Sequence, residues 1–190
     1  MKTMKRNILT ALLFASMTTF ANTTTTFDNI KRVKVEFTAV KKGHSLEIKD
    51  ENGTTIYTEQ IEKEGDFSRT FDLTALKDGN FTAELSKDFE IIVKPFTVED
   101  GTVTFITESE KTIFKPILRK EENRILVSKY NFESTKLDVK IYFEDNLIHT
   151  EVLEGENFLN RVYALSKEER GSYRIVINTD GKSYEKSFNL

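Results

Sequence analysis

The sequence predicts an all-β protein, two tandem sandwich modules behind a signal peptide, and three observations carry that prediction. Apolar and polar residues alternate along most of the chain, which gives each segment one face for a core and one for water. Turn-forming pairs, among them Asn52-Gly53, Asp100-Gly101 and Asp180-Gly181, punctuate the alternating segments. The chain also matches itself in register when shifted by 92 residues (148 − 56 = 92, from Ile148 on Ile56).

At the N-terminus, Lys2, Lys5 and Arg6 form a positive start, Ile8 to Phe14 an apolar run, and Thr19-Phe20-Ala21 an end suited to signal peptidase. Residues 1–21 are therefore expected to be a signal peptide cut between Ala21 and Asn22. The apolar run is shorter than the ~20 residues a spanning helix needs, so no membrane span is expected in the mature chain. Residues 22–27 are Thr-rich without periodicity and read as a flexible leader.

The first module, residues 28–99, alternates at Val33, Val35 and Phe37, at Leu46 and Ile48, at Phe67, Arg69, Phe71 and Leu73, at Phe81, Ala83 and Leu85, and at Phe89, Ile91 and Val93. Each run reads as a half-buried strand. The second module, residues 100–190, follows from the self-match. Ile56-Tyr57-Thr58-Glu59 falls on Ile148-His149-Thr150-Glu151, Arg69 on Arg161, Phe71 on Tyr163, Gly79 on Gly171 and Phe81 on Tyr173. Upstream the offset slips by one, so that Leu46 and Ile48 meet Val139 and Ile141, because Asp50-Glu51-Asn52-Gly53 is a longer turn than Glu144-Asp145-Asn146. Helical signals are confined to single turns at Thr74-Ala75-Leu76-Lys77 and at Ser166-Lys167-Glu168-Glu169, the latter with capping-box spacing. Short strands, frequent turn signals and no long helical period predict immunoglobulin-like β-sandwiches.

The stretch Asp72-Leu73-Thr74-Ala75-Leu76-Lys77-Asp78-Gly79-Asn80-Phe81-Thr82-Ala83-Glu84-Leu85 resembles the last part of bacterial immunoglobulin-like domains of the type-nine secretion sorting-tail group. Ala164-Leu165, Gly171 to Ile177 and Asp180 to Phe188 are similar in the second copy. The resemblance implies a sandwich fold, a Bacteroidetes-like origin and an association with secretion. A sorting tail follows a large cargo domain and ends in a basic strand, whereas this sequence ends Phe188-Asn189-Leu190.

Chemistry is harder to find. The absence of cysteine excludes thiolate metal sites, disulfides and a cysteine nucleophile, and a net charge of −3 leaves no excess of cations for a nucleic acid. His44 and His149 fall at non-equivalent places in the two copies, so a repeated imidazole metal site is excluded. Glu59, Glu62, Glu64 and Asp66, and again Glu151, Glu154 and Glu156, read as solvated strand faces; they show no calcium-loop spacing, and nothing fixes a glycosidase pair among them. Arg69 and Arg161, a charged pair kept by the repeat, read as structural partners of an acid. No catalytic motif and no cofactor are expected. The reading is a non-enzymatic exported protein of the periplasm or cell surface that contacts a protein or glycan of the envelope through strand edges or loops. The loops that differ between copies, Asp50, Glu51, Asn52 and Gly53 against Glu144, Asp145 and Asn146, are the expected contact points. The alternatives are a module read by export machinery and a hydrolase with an unrecognised carboxylate site.

Overall fold

The computed structural model describes residues 32–72 and 76–190. The expected signal peptide, the Ala21–Asn22 cleavage point, the leader, the first residues of the first module, the expected strand position Leu73 and the first two residues of the expected turn, Thr74 and Ala75, lie outside the described residues.

Among the described residues the chain is all-β. The first eight strands are β1 (Arg32–Val40), β2 (Ser45–Asp50), β3 (Thr55–Gln60), β4 (Gly65–Asp72), β5 (Gly79–Ser86), β6 (Glu90–Glu99), β7 (Thr102–Phe105) and β8 (Lys111–Phe114). The next seven are β9 (Ile117–Glu121), β10 (Arg124–Asn131), β11 (Leu137–Phe143), β12 (Asn146–Leu153), β13 (Asn157–Ala164), β14 (Ser172–Thr179) and β15 (Lys182–Asn189). The Ser166 turn forms its cap bonds, with Ser166 Oγ accepting from the amides of Glu168 (3.2 Å) and Glu169 (3.3 Å), but it does not grow into a helix. Four residues without apolar spacing beyond them cannot repay helix nucleation.

The strands form four sheets around two cores. β1 pairs with β4, and the order β3-β2-β5-β6-β7, with β8 also on β6, makes the second sheet. Val33, Val35 and Phe37 of the small sheet share one core with Leu46, Ile48, Ala83, Leu85, Phe96 and Val98 of the large one. The other two sheets run β13-β10-β9 and β12-β11-β14-β15, and their core joins Ile125, Val127, Leu159 and Tyr163 to Val139, Ile141, Tyr173, Ile175 and Ile177. All sheet pairings among the described residues are antiparallel, and in β1, β2, β5 and β14 the alternation read from the sequence is the alternation of burial, whereas on β4 Arg69 is exposed and Phe67 only partly covered.

Register repeats with the sequence. Val33 opposes Phe71 and Val35 opposes Arg69; 92 residues on, Ile125 opposes Tyr163 and Val127 opposes Arg161. Leu46 opposes Leu85 and Ile48 opposes Ala83, while Val139 opposes Ile177 and Ile141 opposes Ile175. The one-residue slip is absorbed in the β2–β3 and β11–β12 hairpins. Gly53 (φ 78°) sits in the longer turn, and Glu144 (φ 46°) with Asp145 (φ 63°) forms the shorter one. Two successive left-handed residues match the strand twist of a two-residue hairpin.

The proposed division at Asp100-Gly101 falls at the β6–β7 turn, where Asp100 (φ 46°) and Gly101 (φ 82°) are both left-handed. The chain does not leave the large sheet there, because Val98 pairs with Val103 in β7 and Ile91 with Ile113 in β8. The change of sheet comes at Lys115-Pro116, after which Ile117 pairs with Ser128. Proline offers no amide for a ladder, so it suits a point where pairing must stop.

Candidate functional site

The structure does not bring the two expected contact loops together. Asp50 Oδ1 accepts from the amides of Asn52 (3.0 Å) and Thr54 (2.8 Å), an Asx-type turn that satisfies the hairpin from within. Glu144 Oε1 instead accepts from the Ser172 amide (2.8 Å), and Asp145 lies near Arg174 (3.5 Å), which stacks on the Tyr142 ring. Asp50 caps the end of β2 that pairs with Phe81, away from the Glu90–Val93 segment that carries β8. Phe143, beside Glu144, likewise pairs with Tyr173, at the end of β14 away from the junction.

Arg69 and Arg161 do pair with acids. Arg69 Nε donates to Glu59 (2.7 Å) and Arg161 Nε to Glu151 (3.0 Å), each guanidinium engaging both carboxylate oxygens. Each bond spans from β3 to β4, or from β12 to β13, so it ties the edge strands of two facing sheets. Hydrogen bonds from Arg69 hold the Glu59 carboxyl below the usual carboxylate range. Burial works against the charge on Glu151, but the neighbouring Tyr163 and Arg161 outweigh it and lower that carboxyl too. Each arginine thus favours the anionic form of the acid it holds. Among the described residues no group of three metal-ligating side chains converges.

The histidines behave differently from each other. His44 is buried; its Nδ1 accepts from the Lys41 amide (3.1 Å) and its Nε2 lies 3.7 Å from Asp88. His149 lies on edge strand β12, half exposed, with its ring against Tyr163 and Nε2 at 3.7 Å from Glu151. His149 thus shares the Glu151 carboxylate with Arg161 and Tyr163, while His44 faces Asp88.

Where the two sheet systems meet, an exposed aromatic face appears that sequence reasoning missed. The Phe114 ring packs edge-on against Tyr130 and Phe132 (5.6 Å each), Tyr130 stacks on Phe132 (5.8 Å), and Phe158 lies 5.5 Å from Tyr130. Phe132 is 62% exposed and Phe158 51%, and Phe89, read as the start of a strand, is instead a turn residue at 63%. Single exposed apolar residues are ordinary, but a contiguous aromatic group is not. A cleft of about 220 Å³ runs among Phe89, Phe114, Ile117, Tyr130 and Phe158. The legible signal was phase: Ile125 and Val127 are core positions, which turns Tyr130 outward, and 92 residues earlier the positions of Tyr130 and Phe158 hold Thr38 and Asp66.

The lysine and glutamate groups beside this face are paired. Lys115 Nζ donates to Ser86 Oγ (2.7 Å) and to the Lys87 carbonyl (2.5 Å), and burial pushes its amine below the usual lysine range. Glu84 Oε2 receives Lys49 and Lys182 at 2.8 Å each, the latter reaching from β15 across to β5. Burial opposes the Glu84 charge, but the two ammonium groups prevail and lower its carboxyl.

Beneath the rings lies a polar core. Lys129, 3% exposed, places Nζ 2.7 Å from Asp180 Oδ2 and donates to Thr135 Oγ1 (2.8 Å), Thr179 Oγ1 (3.3 Å) and Asn131 Oδ1 (3.4 Å). Asn131 is itself fixed by donating to the carbonyls of Gly155 (2.6 Å) and Thr135 (3.0 Å).

No family model and no curated protein matches the chain. Among solved structures it aligns with a biofilm associated protein BSP domain at 14% identity and a TM-score of 0.28, covering 83% of this chain and 27% of that one. It also aligns with a tetra-tandem repeat in the extending region of a large adhesion protein, again at 14% identity and 0.28, covering 87% of this chain and 47% of that one. The chain thus spans less than half the length of either structure. Among the described residues no helix is long and apolar enough to cross a membrane.

Proposed function

We propose that the chain is a non-enzymatic, exported binding protein of the cell envelope, built of two tandem immunoglobulin-like sandwiches, and that it contacts a protein partner through the aromatic face at the junction. The observation that carries this reading is the exposed group Phe89, Tyr130 and Phe158 around one apolar cleft, with exposed Phe132 stacked on Tyr130 beside it. Solvent-exposed Phe and Tyr in contact with each other are what a protein interface core offers. A glycan is the weaker occupant. Sugar hydroxyls need hydrogen-bonding side chains beside the rings, and Lys115 and Lys129 are engaged by Ser86, Lys87 and Asp180. Export rests on the sequence of residues 1–21.

The test compares the mature protein with a Tyr130→Ser/Phe158→Ser variant of unchanged thermal stability. Each is used to capture material from an envelope protein extract and, separately, from protease-digested envelope polysaccharide. A protein retained by the parent and lost by the variant supports the proposal. Equal capture by both, or capture from the polysaccharide alone, overturns it. The type-nine resemblance is tested apart from this: delivery to the same compartment after deletion of residues 101–190 would remove a sorting role.

A further inference from the structure

We propose that Lys129 and Asp180 form an intramolecular amide that cross-links the two sheets of the second sandwich. Lys129 lies on β10 of the β13-β10-β9 sheet, and Asp180 lies in the turn between β14 and β15 of the facing sheet. Their reacting groups are already at 2.7 Å, and both side chains are held, Lys129 at 3% and Asp180 at 12% exposure. Fixing an amine against a carboxyl removes the entropy of encounter between the two.

The reaction requires the uncharged pair. An ammonium and a carboxylate buried side by side bear a desolvation cost that their mutual attraction at best offsets. Passing one proton from the ammonium to the carboxylate gives an amine and a carboxylic acid and removes that cost. The amine nitrogen then attacks Cγ of Asp180, a C–N bond forms, a C–O bond breaks, and the hydroxyl leaves with an amine proton as one water. No oxidant or other co-reactant is consumed. Thr135 and Thr179 hydroxyls sit at Nζ within 2.8 and 3.3 Å, and Thr179 Oγ1 lies 3.4 Å from Asp180 Oδ2, where it can donate to the oxygen that gains charge. A cleft of about 120 Å³ bordered by Lys129, Thr135 and Asp180 leads the water out. Asn131 Oδ1 is farther from Nζ, at 3.4 Å, and its amide is committed to two carbonyls, so it is the poorer acceptor.

The experiment is the intact mass of the purified full chain, denatured before electrospray, beside the Lys129→Met and Asp180→Ala variants. The parent is expected to be lighter than its sequence by the mass of one water, both variants to have their full mass, and a tryptic digest to contain one branched peptide joining the Lys129 and Asp180 segments. A parent of full mass overturns the proposal, and so does a loss of ammonia, which would place the bond on Asn131. A water lost equally from Lys129→Met also overturns it, since that marks cyclisation of Asp180 onto the Gly181 amide. The readout is covalent and does not depend on how well a variant folds.

Discussion

Lys129 occupies, 92 residues along, the pairing position of Phe37: Phe37 opposes Phe67 on β4, and Lys129 opposes Leu159 on β13. Both are buried, at 4% and 3% exposure, so one register position holds a phenylalanine in the first copy and a lysine in the second. Removing the acid alone strands a buried charge. Asp180→Ala is expected to cost about 3–5 kcal/mol in a denaturant melt. The pair Lys129→Met/Asp180→Asn should cost clearly less than Asp180→Ala, because no unpaired charge is left.

The Arg–Glu ties across the sandwich edges should be modest. Arg161 is half exposed, so a double-mutant cycle on Glu151 and Arg161 is expected to give a coupling of about 0.5–1 kcal/mol that shrinks with added salt. The same cycle on Glu59 and Arg69 should match it, since the geometry repeats.

Acid should weaken the junction. The Glu84 carboxyl is lowered in the folded chain, so its contribution is fully present above the ordinary carboxylate value of about 4.3 and is lost as pH falls through the lower folded value. Glu59 and Glu151 have the same sign. Melting temperature is expected to fall below about pH 4.5. Glu84→Gln should lower it at neutral pH and flatten that decline. An unchanged acid limb in Glu84→Gln would show that the Lys49–Glu84–Lys182 link contributes nothing.

Two glycines should respond oppositely to what their turns suggest. A Cβ on Gly171 would come within 2.3 Å of Glu144 Oε1 and 2.8 Å of the Phe143 ring, displacing the oxygen that accepts from Ser172. Gly171→Ala is expected to cost about 1–3 kcal/mol in chemical denaturation. Gly53→Ala meets nothing within 4 Å and bears only the strain of φ +78°, about 1 kcal/mol.

Strand positions were legible because burial on one face imposes a period of two, and Val33, Ile48, Leu85, Val139 and Ile177 all satisfy it. Phe89 was misplaced because an aromatic residue in phase with Ile91 looks like a strand residue, while the 2.8 Å hydrogen bond from the Lys87 amide to the Glu90 carbonyl closes a turn around it. The Arg69–Glu59 and Arg161–Glu151 ties were anticipated as pairings with an acid, though not with which one. Their partners are ten residues away on the neighbouring strand, beyond what spacing alone assigns.

By itself the sequence determined the all-β class, the 92-residue recurrence and the core faces, because alternation and turn chemistry are local properties written into consecutive residues. Only the tertiary structure decided that β7 and β8 stay with the first large sheet, that Phe89, Phe114, Tyr130, Phe132 and Phe158 gather at one junction, and that Lys129 reaches Asp180. Those relations join residues tens of positions apart. Such contacts depend on which sheet each strand enters, and no local period encodes that choice.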